Sequence, residues 1–314
     1  MNIKNVTIIG GGVLGSQIAY QTAYAGFNVT VWLRSEASIE RAKPKFARLH
    51  QVYLAELTAA KADPTKPVSR GLVFNETDPA KFNLDQKLAN AEAAFQNLKY
   101  ELDLGQALAD ADLVIEALAE NPQQKIEFYE KAAPLLPEKT IIATNSSTLL
   151  PSQLAASTGR PEKFLALHFA NSIWRGNTAE VMGHAQTDQA AFDKVVAFAE
   201  AIGMIPLKVL KEQPGYILNS LLVPFLSAAE QLWTDEVADV ETIDKTWKLA
   251  TGAPAGPFAI LDVVGLTTAY NICMNYPDAA EPGSLHNRIA TKLKEYIDAG
   301  KTGINAGEGF YSYK

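Results

Sequence analysis

With 314 residues the chain has room for one or two domains, and 47% hydrophobic against 20% charged residues describes a chain that buries a large core. Twenty-eight Lys and Arg against 35 Asp and Glu leave a net charge of −7, which argues against a surface built for nucleic-acid phosphates. The single cysteine, Cys273, excludes an intrachain disulfide and a cysteine-based zinc site, so no metal is expected, and no run of 18 apolar residues predicts a membrane span.

In chain order, the start MNIKNVTIIGGG enters a strand and a glycine turn at once, which predicts no signal peptide and a cytoplasmic protein. The runs at 5–10, 28–33, 113–118, 140–145 and 164–169 are continuous apolar strands of the kind a parallel sheet covers on both faces. Helical segments are predicted at 14–25, 37–60 and 122–136, the last with Pro122 in its first turn. Strand, helix and strand in repetition predict an α/β doubly wound sheet. Residues 55–85, with Lys61, Pro64, Lys66, Pro67, Arg70, Pro79 and Lys81, read as an irregular insertion. After about residue 210 the strand signal stops, and four helical segments follow, broken at Gly252–Pro257 and Pro277–Gly283. Two domains are therefore expected, an α/β domain over 1–210 and an all-helical one over 211–314.

Gly10, Gly12 and Gly15 form G-x-G-x-x-G between the first strand and the first helix, the context in which this pattern binds a dinucleotide. The first glycine permits the turn, the second admits a pyrophosphate to the backbone, and the third lets helix and strand pack closely. The helix N-terminus, through Val13 and Leu14, offers amide donors to the phosphates. The fold expected is Rossmann-like and mostly parallel. An acid closing the second strand selects NAD and a nearby Arg selects NADP. Here Leu33 and Arg34 stand at that end, and the cofactor is NAD or NADP, with Arg34 and Ser35 favouring NADP. Glu36 reaching back to the ribose is the other reading.

Several separated segments carry a resemblance: GGGVLGSQIA (10–19), VIEALAENPQQK (114–125), TNSSTL (144–149), LHFAN (167–171), Glu180, PGYILNSLLVPFL (214–226), GPFAILDVVGL (256–266) and GEGFYSYK (307–314). In order and spacing they resemble the L-3-hydroxyacyl-CoA dehydrogenase family, which includes the 3-hydroxybutyryl-CoA dehydrogenases. The resemblance implies an oxidoreductase that interconverts a short-chain L-3-hydroxyacyl-CoA and its 3-ketoacyl-CoA. It also implies a homodimer formed through the helical domain. His168, at a strand end, would be the general base, and Glu180, twelve residues on, would hold its imidazole. Ser147 would hydrogen-bond the substrate's 3-oxygen, Asn219 would orient the substrate, and Glu120 with Lys125 would contact the nicotinamide-side ribose. Each has a plainer alternative: a core histidine, a turn cap at Ser147, a helix–helix hydrogen bond at Asn219, an exposed ion pair at Glu120 and Lys125. Asn171 is expected to pack beside His168, and His50, His184 and His286 to be surface or structural.

The chain departs from the family at the second strand's missing acid and at 172–177, where Trp174 is expected to shorten an acyl pocket and Arg175 to pair with an anionic substrate group. The 55–85 lysines and arginine are placed to meet CoA phosphates, or simply to be solvated. Arg175 as a carboxylate anchor also suits a free hydroxy acid, as in the gulonate 3-dehydrogenase and lambda-crystallin branch. A non-catalytic nicotinamide-binding protein is a third reading, which needs none of His168, Glu180, Ser147 and Asn219.

Overall fold

The computed structural model describes residues 3–313, which divide into two compact units, one ending at Ile217 and the other beginning at Leu218. In the first unit eight strands form one sheet: β1 (Asn5–Ile9), β2 (Asn28–Trp32), β3 (Lys99–Glu101), β4 (Leu113–Glu116), β5 (Ile141–Thr144), β6 (Phe164–Phe169), β7 (Thr178–Met182) and β8 (Ile205–Val209). Their spatial order is β3-β2-β1-β4-β5-β6-β7-β8. The first six run parallel, β7 pairs antiparallel with β6, and β8 runs parallel to β7. The order reverses about β1, so strand ends diverge beside the glycine turn, the crevice where open α/β sheets hold ligands.

Central strands β4, β5 and β6 are buried at every position, which is why they read as unbroken apolar runs. Helices α1 (Val13–Tyr24), α2 (Glu36–Ala62), α3 (Leu84–Asn97), α4 (Leu104–Leu108), α5 (Pro122–Ala132), α6 (Pro151–Leu154) and α7 (Gln189–Ala201) complete the unit. Ser35 caps α2 by accepting the Ser38 amide, and Asn121 caps α5 with Pro122 in the first turn.

The segment expected to be an irregular insertion is shorter and better anchored than its composition suggests. Residues 55–62 complete α2, and 84–97 form α3. Between them Leu72 and Val73 are buried, the Leu72 carbonyl accepts the Tyr24 hydroxyl at 2.7 Å, and the Gly71 carbonyl accepts the Gln21 amide at 3.1 Å. Lys61 pairs with Asp85, and Lys81 with Asp78 at 3.4 Å, so two of its cations already have acid partners.

The second unit packs α8 (Leu218–Thr234), α9 (Val240–Thr251), α10 (Pro257–Val264), α11 (Leu266–Met274) and α12 (Leu285–Asp298) around Leu226, Ile243, Phe258, Leu261, Ile289 and Leu293. Two buried acids explain its motifs. Asp244 accepts the Phe258 and Ala259 amides at the start of α10. Asp262 accepts the Phe310 and Tyr311 amides and the Tyr313 hydroxyl, fastening the final segment to α10. Among the described residues no single helix is long and apolar enough to cross a membrane.

Candidate active site

The glycine turn shows a division of labour. Gly10 has φ +106°, a conformation that L side chains rarely adopt. At Gly15 a Cβ would stand 2.2 Å from the Gly10 carbonyl oxygen, so only hydrogen fits where α1 crosses β1. A Cβ on Gly12 would meet nothing within 4 Å. Gly12 is also the N-cap of α1, so the amides of Val13 and Leu14 fall in the first turn, where a helix leaves its N–H groups without an intrahelical acceptor. These residues fit a pyrophosphate: a bare backbone, donor amides and a positive helix end. At the end of β2, Leu33 is buried and Arg34 is exposed. The Ser35 hydroxyl accepts the Ser38 amide as the cap of α2 and lies 3.0 Å from the Ser38 hydroxyl.

The carboxyl ends of β5 and β6, with β7, bring three further residues together. His168 and Glu180 are direct cross-strand partners in the antiparallel β6–β7 pair, on one face of the sheet. His168 Nδ1 lies 3.1 Å from Glu180 Oε2, and His168 Nε2 lies 3.1 Å from Ser147 Oγ. Both His168 and Glu180 are buried. Nδ1–H donating to the carboxylate leaves the Nε2 lone pair facing Ser147, the tautomer that accepts a proton from a hydroxyl. Glu180 Oε1 accepts the Ile217 amide at 2.8 Å, so each carboxylate oxygen has a donor.

Around this set lies a polar layer. Glu120 Oε1 accepts Ser146 Oγ–H at 2.5 Å and both the amide and the hydroxyl of Thr148 at 2.8 Å, gripping the residues on either side of Ser147. Burial pushes the Glu120 carboxyl up, but these hydrogen bonds and Lys125 outweigh it and hold the carboxyl below its usual range. Lys125, expected at the ribose or in an exposed pair with Glu120, is neither exposed nor chiefly Glu120's partner. It is 1% exposed, and its Nζ donates to Glu116 Oε1 at 2.6 Å and lies 3.7 Å from Glu120. Glu116, wholly buried, also accepts the Leu118 amide, the Tyr129 hydroxyl and the Thr144 hydroxyl. A buried ion pair persists only when its remaining lone pairs are satisfied in this way.

Glu116 and Tyr216 escape sequence reasoning. An acid inside the apolar run 113–118, with a lysine nine residues on, is the signal that would have found the first. Nothing in the pattern announces that Tyr216 stacks on His168. Asn171 is exposed, and it is Asn145 that accepts the amide of Phe169, the residue after His168, at 3.1 Å. Trp174 is buried in the core with its ring 5.7 Å from that of Tyr53, so it fills core rather than shortening a pocket. Arg175 is exposed, 3.8 Å from Glu56. Asn219 lies in the first turn of α8, half-buried, in the second unit. His50 bonds Tyr20, His184 bonds the Pro161 carbonyl and His286 bonds Asp278, structural places in each case. Among the described residues no group of three or more His, Cys, Asp or Glu could hold a metal ion.

Comparison with known proteins decides the family. The profile of the 3-hydroxyacyl-CoA dehydrogenase NAD binding domain matches residues 5–213, and that of the same family's C-terminal domain matches 215–313. The chain belongs to the 3-hydroxyacyl-CoA dehydrogenase family. A probable 3-hydroxyacyl-CoA dehydrogenase of Caenorhabditis elegans is 32% identical, over 99% of this chain and 93% of its own. Among solved structures, a diketoreductase described as a catalyst of dicarbonyl compounds is 49% identical with a TM-score of 0.85, both chains fully covered. The (S)-3-hydroxybutyryl-CoA dehydrogenase of Ralstonia eutropha is 27% identical with a TM-score of 0.75, again over both whole chains. The first unit is thus the family's NAD-binding domain and the glycine turn lies within it.

Proposed function

We propose that the chain interconverts a 3-hydroxy and a 3-keto carbonyl compound, with His168 as the acid–base group. The observation that carries this reading is the Ser147–His168–Glu180 alignment, 3.1 Å at each contact, built on β5, β6 and β7 of the same sheet whose β1 runs into the glycine turn. A bound nicotinamide dinucleotide supplies the hydride acceptor or donor, held by Gly10, Gly12 and Gly15 and the first amides of α1. Ser147 Oγ holds the substrate's 3-oxygen. In oxidation His168 Nε2 takes that oxygen's proton, and Glu180 stabilises the imidazolium; in reduction the proton returns. Glu120 keeps Ser147 in place through its neighbours.

The substrate class is a ketone with a second carbonyl two carbons away. The family relation supports a 3-ketoacyl-CoA, short-chain as in 3-hydroxybutyryl-CoA. A free dicarbonyl compound is the second reading, favoured by the 49% identity to a diketoreductase over its full length. Exposed Arg34, with no acid closing β2, supports NADPH as the better donor. Exposed Leu221, Val237, Leu249 and Val263 support a homodimer formed through the helical unit, which light scattering would test.

The test is reduction of acetoacetyl-CoA, ethyl acetoacetate and acetylacetone by purified protein, each with NADH and NADPH. Turnover restricted to the thioester selects the first reading, and a higher kcat/KM on the free compounds selects the second. No turnover of any of the three, in protein shown to bind the cofactor, refutes both.

A further inference from the structure

The members of the proposed acid–base set come from β5, β6 and β7 and their loops, and hydrogen bonds 3.1 Å long do not by themselves hold an imidazole in one plane. What holds it lies in the turn that ends the first unit. The Tyr216 ring stacks on the His168 ring with centroids 4.4 Å apart and planes 10° from parallel. The Tyr216 hydroxyl donates to the Ser146 carbonyl at 2.7 Å, one residue before Ser147. The next amide, that of Ile217, donates to Glu180 Oε1 at 2.8 Å. Two consecutive residues therefore touch His168, Glu180 and the neighbour of Ser147.

The backbone there is unusual. Gly215 has φ +78° and Tyr216 +56°, a left-handed pair in which the second residue carries a bulky side chain. Such a conformation persists only where surrounding contacts outweigh its cost, and it concentrates at functional sites. The side chain is 1% exposed, and burial holds its hydroxyl well above the ordinary phenol range, so it stays a neutral donor at any working pH.

We propose that Tyr216 is a positioning residue for the reaction: its ring fixes the plane of the His168 imidazole, and its hydroxyl fixes the Ser146–Ser147 backbone against that plane. One rigid side chain thus spans both ends of the Ser147–His168 hydrogen bond. The left-handed turn is what brings the ring and the Ile217 amide to the site together. A displacement of about 1 Å between reacting groups costs on the order of a hundredfold in rate, which sets the scale of the effect.

This inference rests on the acid–base role given to His168, and the test separates the two. His168→Gln, Tyr216→Phe, Tyr216→Leu and Tyr216→Met are compared for kcat and KM on whichever of the three carbonyl compounds the wild type reduces best. Each is also measured for NADH dissociation constant, melting temperature and the proton NMR shifts of the His168 ring. In the wild type those protons are displaced upfield by the Tyr216 ring current. Phe keeps that displacement and loses roughly three- to tenfold in kcat. Leu and Met abolish it and lose on the order of a hundredfold in kcat, with KM and the NADH constant within about twofold of wild type. Leu or Met within threefold of the wild-type kcat, beside an inactive His168→Gln, overturns the positioning role and leaves the His168 assignment intact. Phe as impaired as Leu overturns the role of the ring. If neither Leu nor Met folds, and Phe matches the wild-type kcat, the side chain serves stability alone and the proposal fails. An active His168→Gln refutes the underlying assignment instead.

Discussion

Gly12 and Gly15 separate cofactor binding from folding. Gly12 has φ −67° and ψ −167°, an extended conformation open to alanine, and an added methyl meets no atom within 4 Å. Gly12→Ala should therefore leave the fold intact, or stabilise it by up to about 1 kcal/mol through the unfolded chain. The same methyl would stand where a pyrophosphate must approach the α1 amides. Losing one charge-assisted hydrogen bond costs about 1.5–3 kcal/mol, which is about 10- to 150-fold in dissociation constant. At Gly15 the order reverses. A Cβ there lies 2.2 Å from one backbone atom of Gly10 and 3.1 Å from another, and backbone cannot swing aside as a side-chain tip can. Gly15→Ala should cost about 1–3 kcal/mol of stability. NADH fluorescence titration and urea unfolding on both variants read the two effects. Wild-type NADH affinity in Gly12→Ala would refute placement of the pyrophosphate on this turn. A loss of stability at Gly12 comparable to that at Gly15 would refute the geometric reasoning itself.

Three further outcomes follow from buried charges. Burial alone raises the Glu230 carboxyl from 4.5 to about 7 in the helical unit, where it lines a cavity of about 40 Å³ with Leu226, Leu261 and Cys273. An acid with a raised folded pKa binds its proton more tightly when folded, so its destabilising effect is absent below about pH 4.5, grows through pH 7 and reaches about 3 kcal/mol. Glu230→Gln should therefore gain about that much more at pH 8 than at pH 4.5 in paired urea melts; equal gains would refute the shift. Lys125→Met leaves Glu116 charged and unpaired in the core and should cost about 3–5 kcal/mol, while adding Glu116→Gln recovers part of it. Strict additivity in that double-mutant cycle would argue against the pair. Glu180→Gln should lower kcat by more than a hundredfold with little change in NADH affinity, since it weakens support for the imidazolium and not the glycine turn.

The parallel core was legible because strands buried on both faces leave apolar runs at β1, β4, β5 and β6, while β2, buried at Val29 and Val31, showed through its β-branched alternation. β7 and β8 did not announce themselves. β7 carries Glu180, an acid that a buried strand tolerates only because His168 and the Ile217 amide receive it. β8 carries Pro206 and Lys208 on the edge of the sheet, where a missing ladder donor costs little. At the site, His168, Glu180 and Ser147 could be named from motifs. The inward turn of Lys125 depended on Glu116, whose burial no local pattern states. Tyr216 depended on a left-handed backbone and a contact between distant segments. Composition misjudged 55–85 for a related reason: charged and proline-rich ends conceal Leu72 and Val73, which anchor the middle.

The reversal of strand direction between β6 and β7 has a further consequence. His168 and Glu180 meet because they occupy one rung of a ladder, and the number of residues joining the two strands does not enter that geometry. The exposed positions of that connection, Asn171, Arg175 and Gly176, can therefore vary, and with them contacts to different substrates, while buried Ile173, Trp174 and Asn177 keep it anchored and the rung stays whole. A slip of one residue in the pairing would turn Glu180 to the opposite face of the sheet and separate the two in a single step. Evolution and the protein engineer thus have a tolerant joint and an intolerant one, placed a few residues apart.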